Sequence, residues 1–259
     1  MRVLVTFAVE AEFAPWRKST GLRAVDPLKS KKSALGSRKI YEGSVAGVTV
    51  RVLITGMGWW NARRAVEMSY ETFLPDVCIS SGFAGSLRPE YGPGDILVAR
   101  EVKEVQGTRS MRSDPELVRT ATILGARAVD FFLGSKRIIG DAKDKQRMGA
   151  WGAAVEMESF RVMAAALVRG IPAVAVRGIS DACDVSLPYD FQKAADNNGK
   201  LRIPALLGQI AMSPKGLPSL IQLGRDSRHT AAKIANFLDE FVDLIRKADV
   251  PEKSSRLAV

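Results

Sequence analysis

Along the chain, short β-type apolar runs alternate with longer stretches of helical spacing, as in a mostly parallel sheet covered by helices. Arg2–Phe7 reads as the first strand, and a helix is predicted to start near Glu10 or Ala11. Alternating positions over 39–45 and 48–54 predict a hairpin-like pair, preceded by a basic, Ser- and Gly-bearing loop over 29–39. A helix follows over about 61–73. Val77–Ser80 then leads into a glycine turn, Ser81-Gly82-Phe83-Ala84-Gly85, and Gly94-Asp95 introduces a strand over 96–99. Buried parallel strands read as continuous apolar runs, and 173–176 is another. A helix over 156–169 precedes it, ended by Gly170 and Pro172 in the order that helix ends prefer.

These elements predict an α/β fold: one domain of three layers, α/β/α, around a mixed, mostly parallel twisted sheet with a tendency to close toward a barrel. The expected domain covers 1–246. Within it the texture changes after Asp184, where Pro188, Asn197-Asn198-Gly199, Pro204, Pro214 and Pro218 punctuate short apolar segments. Residues 185–229 read as a substrate-side extension, because 201–212 carries enough apolar residues to pack. An amphipathic last helix is expected over 230–246, and 247–259 as a flexible tail.

Composition narrows the class. Of 259 residues, 46% are hydrophobic and 25% charged, enough for a core and against wholesale disorder. No apolar run reaches the roughly 20 residues of a spanning helix, and residues 1–7 run straight into Glu10 and Glu12 without a cleavable leader pattern. The expected location is the cytoplasm, with Cys78 and Cys183 as reduced thiols. A net charge of +10 raises nucleic acid, an anionic membrane surface or an anionic substrate as partners. The basic residues are dispersed, with no helix-turn-helix, zinc or aromatic-basic signature, so nucleic acid is not expected. A solvated basic surface, open to peripheral contact with an anionic membrane, remains.

In open α/β sheets ligands bind beyond the carboxyl ends of the strands. Four polar places fit: Glu12, the Gly56-Met57-Gly58 turn, the 82–85 turn, and Ser180-Asp181. In Val155-Glu156-Met157-Glu158-Ser159, two carboxylates two residues apart cannot share one helix face. One is expected to cap or face the surface. The other can enter a cleft and accept hydrogen bonds from vicinal ribose hydroxyls, although acids at a helix start also simply match its dipole. Ser180-Asp181 is either a cap-and-turn pair or a general acid for a purine ring nitrogen, whose proton burial or neighbouring carboxylates must hold near neutral pH. Trp59 and Trp60 read as core packing at a strand end, and His229 as a cap or surface group. No Walker loop, dinucleotide fingerprint or metal-ligand cluster is present, so no cofactor and no metal are expected.

Taken together these motifs resemble the nucleoside phosphorylase and methylthioadenosine/S-adenosylhomocysteine nucleosidase family, in the expected order over residues 1 to about 184. The resemblance rests on Glu10-Ala11-Glu12-Phe13, on Ser81-Gly82-Phe83-Ala84-Gly85-Ser86-Leu87 with Gly94-Asp95, and on the 155–159 string followed by Arg177-Gly178-Ile179-Ser180-Asp181. It implies cleavage of a purine nucleoside's N-glycosidic bond. Glu12 would activate a water, Asp181 would protonate the base with Ser180 orienting it, Glu158 would grip the ribose hydroxyls, and Met157 would pack on the sugar. Phe83, Ala84 and Gly85 join them as substrate-binding positions. The resemblance also implies a homo-oligomer.

Two departures shape the expectation. Family phosphorylases hold phosphate with an arginine and a hydroxyl residue near the glycine turn; here Ser80-Ser81-Gly82-Phe83 offers no arginine ahead of the turn and no hydroxyl at Phe83. Water is therefore the expected nucleophile. Phosphate stays open as a co-substrate through an anion nest of the 82–85 amides. Gly140-Asp141-Ala142 resembles the stretch before the family's base-stacking aromatic, but Lys143 and Asp144 follow, leaving the base open. Residues 187–228 resemble a hopanoid-associated branch that removes an adenosyl group from a large lipid-like substrate. A non-catalytic nucleoside-binding or storage protein is the third reading; it predicts a broken acid set, whereas Glu12, Glu158 and Asp181 are all present.

Overall fold

The computed structural model describes residues 1–25, 39–105, 107–196, 199 and 202–255, with side chains up to residue 248. The loop expected over 29–39, apart from Lys39, lies outside the described residues, as do Asn197-Asn198 and 256–259.

In chain order the elements are β1 (Arg2–Phe7), α1 (Glu10–Thr20), β2 (Arg23–Val25), β3 (Ile40–Val45), β4 (Val48–Ile54), α2 (Trp59–Ser69), β5 (Val77–Ser80), β6 (Phe83–Ser86), β7 (Ile96–Glu104) and β8 (Ser110–Arg112). They continue with α3 (Pro115–Ile123), β9 (Arg127–Gly134), α4 (Ala142–Met148), β10 (Ala154–Glu156), α5 (Ser159–Leu167), β11 (Ala173–Asp181), α6 (Phe191–Ala194), α7 (Ile203–Met212), a 3-10 turn at Pro214–Gly216, and α8 (Leu217–Ser255).

One sheet runs β2-β3-β4-β1-β5-β11-β6-β10-β9-β7-β8, with β11 also pairing β7. β11 takes parallel β5 and then parallel β6 along one edge, and antiparallel β7 along the other. The extra pairing joins β11, β6, β10, β9 and β7 into a closed ring. The strand alternation of side chains between two faces sets the layers. Val3, Val5 and Phe7 of β1 pack with Phe13 and Trp16 of α1 and with Ile234, Leu238 and Phe241 of α8. Leu4 of β1 packs on the opposite face with Ala62 and Val66 of α2 and Val162 and Ala166 of α5. The expected three-layer α/β fold with a mixed sheet is the one observed, and both cysteines are buried free thiols.

Several boundaries differ, each for a local reason. The glycine turn is a single kink at Gly82, after which Phe83–Ser86 is a strand because β10 and β11 pair with its two edges. The helix expected over 156–169 begins only at Ser159, since Ala154–Glu156 pairs with β6 and β9. The last helix is far longer than 230–246. Pro218 sits in its first turn, where a missing N–H breaks no hydrogen bond, and the backbone of 247–255 continues it.

Candidate active site

The organising charge is Arg177, in the middle of β11 with no exposed surface. A buried guanidinium must be paired and hydrogen-bonded to be tolerated. Its Nη2 donates to Glu156 Oε2 at 2.6 Å and Ser159 Oγ at 2.9 Å, with Ser80 Oγ at 3.3 Å and Glu158 Oε2 at 3.5 Å. Its Nη1 donates to the carbonyls of Ser81 at 2.9 Å and Phe83 at 3.5 Å, on either side of the Gly82 kink.

Around it stand three buried glutamates. Glu156 also accepts the N–H groups of Glu158 at 2.9 Å and Ser159 at 2.7 Å, so it caps α5 while being buried in the charge cluster. Glu158 is the inward carboxylate of the pair: its Oε1 accepts the Gly58 N–H at 2.8 Å. Burial pushes Glu158 up to about 7, against the pull of Arg177; Glu156 and Glu12 add to the rise, and the Gly58 N–H opposes it. Glu12, in the first turn of α1, accepts from the Ala8 and Val9 N–H groups at 2.8 and 3.0 Å through Oε2, and from Phe83 N–H at 2.8 Å through Oε1. Burial also raises the Glu12 pKa, opposed by Arg177 and those three backbone bonds.

Gly82 makes this packing possible by its lack of a side chain, and Gly58 turns the chain beside it at a φ of +94°. A Cβ on Gly82 would lie 2.7 Å from Glu12 Oε1 and 2.8 Å from Arg177 Nη1, and its φ of +128° is one that side chains rarely adopt. A Cβ on Gly58 would lie 3.6 Å from Met157 Cε, so the Gly56-Met57-Gly58 turn lies against half-buried Met157 and Glu158.

Asp181 stands apart from this cluster, at the end of β11. Its Oδ1 accepts the Ser180 hydroxyl at 2.6 Å, and its Oδ2 accepts from Lys145 Nζ. Of the two surroundings expected for a general acid, burial is met, since Asp181 is buried, but its closest charged partner is an ammonium brought in by α4 and not a carboxylate. Strand β6 links the two ends. Phe83 N–H meets Glu12, and a Cβ on Gly85 would lie 3.0 Å from Asp181 Oδ2. Two residues of strand span roughly 6.5 Å, about the distance from a nucleoside's sugar to the far side of its base. Ala84, between them, is buried.

The anion nest expected at 82–85 does not form. Phe83 N–H is taken by Glu12, and β6 is extended and paired on both edges. The tryptophans divide: Trp59 is buried under the Arg161 guanidinium, 3.8 Å above its ring, whereas Trp60 is 75% exposed and does not join the core. Both border an open cavity of about 1200 Å³ that Arg109, Lys136, Trp151 and Arg161 also line. His229 is exposed, as expected, but lies within α8 rather than near its start.

A protein-family model described as the phosphorylase superfamily matches residues 2–210. The chain belongs to the phosphorylase superfamily. It is 28% identical over 238 residues to a 5′-methylthioadenosine/S-adenosylhomocysteine nucleosidase of Shewanella halifaxensis, covering 81% of this chain and 100% of that one. Among solved structures it resembles the corresponding Neisseria meningitidis nucleosidase in complex with methylthio-immucillin-A, with a TM-score of 0.69 and 21% identity over 93% of this chain and 98% of that one. It also resembles futalosine hydrolase of Helicobacter pylori, with a TM-score of 0.70 and 16% identity over 94% and 97%. At such identities the structures speak for the fold.

Within this superfamily member, sequence reasoning missed two buried cations. Arg177 had a signal: one guanidinium inside an otherwise apolar run, Ala173-Val174-Ala175-Val176-Arg177-Gly178-Ile179. Lys145 had none, because its neighbours Lys143 and Arg147 make α4 look like a solvated basic helix.

Proposed function

We propose that the protein hydrolyses the N-glycosidic bond of a purine nucleoside, with a 5′-modified adenosine as substrate and water as nucleophile. The nucleosidase relatives support the reaction class. The observation that carries the choice of water is the occupancy of Arg177: its donors are spent on carboxylates, hydroxyls and carbonyls, and three glutamates surround it. A phosphate dianion would enter a site with surplus negative charge, whereas a sugar becoming oxocarbenium-like is stabilised by it.

In this reading Glu12 takes a proton from the attacking water, Glu158 accepts from the ribose hydroxyls with Met157 against the sugar, and Asp181, oriented by Ser180, protonates the departing base beside Phe83, Ala84 and Gly85. Water and proton transfers suffice, and no cofactor enters. Described residues of the expected extension wall the 5′ side: Leu187 N–H donates to Gly140 O at 2.8 Å, and Met57 N–H donates to Gly199 O at 3.1 Å, next to the turn that holds Glu158. No described helix is long and apolar enough to cross a membrane. Yet none of the ten residues of α7 is fully buried, and Ile203, Leu207 and Met212 are exposed beside Arg202 and Lys215. We assign to that face a peripheral contact with an anionic membrane, to the protein a cytoplasmic location, and to the exposed Trp60 and Trp151 a place in a homo-oligomer contact.

The test is base release from adenosine, methylthioadenosine, S-adenosylhomocysteine, inosine and a 5′-alkyl-extended deoxyadenosine, each with and without phosphate. Release of base and free sugar without phosphate is expected. Release only with phosphate, as sugar 1-phosphate, would make the protein a phosphorylase.

A further inference from the structure

Lys145 is fully buried, and each of its three N–H bonds has a taker: Asp181 Oδ2, the Val185 carbonyl at 2.7 Å and the Ala182 carbonyl at 3.1 Å. A strongly hydrated ammonium loses much hydration free energy on burial, and a loop could be pinned by neutral groups. The position of this charge therefore calls for a use. Its partner oxygen, Oδ2, faces Gly85, where a Cβ would stand only 3.0 Å away and where the base is placed in the function proposed above. Oδ1 is already held by the Ser180 hydroxyl, a donor that cannot supply a net proton to a base and keep its bond.

We infer that Lys145 is the proton reservoir of the acid arm: a positioning residue that holds Asp181 Oδ2 toward the base and supplies the proton that Asp181 hands over. As the C–N bond breaks, its electron pair leaves with the purine. Starting from the ammonium–carboxylate pair, the Nζ proton crosses to Asp181 Oδ2, and the carboxyl so formed passes that proton to the purine ring nitrogen. A neutral base, a carboxylate and a neutral amine result, and the amine regains its proton from solvent after product leaves. The water's proton goes separately to Glu12. The inference rests on the nucleosidase reading and adds to it the source of the leaving-group proton.

A leaving group that needs no proton separates this role from a structural one. Wild type, Lys145→Gln and Asp181→Asn are assayed with methylthioadenosine and with p-nitrophenyl riboside, whose phenolate departs unprotonated. For Lys145→Gln, kcat on methylthioadenosine is expected to fall about 100-fold or more. The fall on the nitrophenyl riboside is expected to stay under about tenfold. The residual methylthioadenosine activity should rise as pH falls, because solvent then supplies the proton. Equal losses on both substrates, or no loss on either, would overturn the inference. If Lys145→Gln does not fold, the double variant Lys145→Gln/Asp181→Asn, in which both charges are gone, takes its place. Two groups acting as one unit predict that it matches Asp181→Asn alone, and a further independent drop would contradict that. A wild type that releases neither leaving group removes the nucleosidase reading and this inference with it, whereas an active wild type with unselective variants removes the inference alone.

Discussion

The two ends of the site are both buried and both built on β11, but they balance charge differently. At the end proposed to take the sugar, one guanidinium, Arg177, faces Glu12, Glu156 and Glu158. At the end proposed to take the base, one ammonium, Lys145, faces one carboxylate, Asp181. Burial lifts Glu158 to about 7 and raises Glu12 as well, and at Glu158 the surplus of carboxylates adds to the rise against the pull of Arg177. Such a surplus is unfavourable in the resting protein and favourable once a positive charge develops on the sugar: a unit charge about 4 Å from one carboxylate gains about 4 kcal/mol at an effective dielectric constant near 20. In the inference drawn above, the matched pair at the base end holds and moves a proton instead. In the proposed function the carboxylates around Arg177 are the electrostatic stabiliser and Asp181 is the proton donor, and β6 spaces the two about two residues apart.

The contrast can be broken at its most consequential point by Glu12→Gln, which keeps the shape and removes the base. Base release by water is expected to fall by about 10² to 10⁴, measured as kcat at saturating substrate; an unchanged kcat would move the base elsewhere. Removing the counter-charge, Arg177→Met, strands three glutamates. Breaking a buried pair in this way costs about 3–5 kcal/mol, read by denaturant unfolding near pH 7, and part of the loss should return at lower pH as the glutamates take up protons. Gly82→Ala presses a methyl group onto Glu12 Oε1 at a φ of +128°. It is expected to destabilise the protein by about 1–3 kcal/mol and to lower kcat by displacing Glu12, while substrates still bind.

The smallest effect is the pH slope of stability. Because the Glu158 pKa is raised from 4.5 to about 7, the native protein binds more protons than the unfolded chain in that window. Its contribution therefore falls as pH rises from about 4.5 to about 7 and is constant above, with a slope of at most about 1.4 kcal/mol per pH unit. Unfolding free energies of Glu158→Gln across this range should be flatter than those of the wild type; a parallel slope would mean that Glu158 is not the group concerned.

Much of this arrangement was legible in the sequence, and unevenly so. The apolar runs at Val77–Ser80 and 173–176 announced buried strands because both faces of the central sheet are covered. Glu12 and Asp181 stood out because each follows a predicted strand, and Glu158 as one of two acids in the 155–159 string; the fold brings all three to β6 and β11. What stayed hidden depends on pairing between distant segments. The strand β6 reads as a glycine turn until β10 and β11 flank it. Glu156 reads as a helix-start acid until Arg177, 21 residues away, claims it. Lys145 is invisible because nothing local distinguishes a lysine that turns inward from the exposed ones beside it.

The measurement that tests the central claim most directly is hydrolysis of methylthioadenosine in ¹⁸O-labelled water without phosphate, with the sugar product analysed by mass. Water activated by Glu12 predicts one labelled oxygen on the freed sugar, and base release that collapses in Glu12→Gln. Base release that requires phosphate, with label absent from the sugar 1-phosphate, would contradict the account.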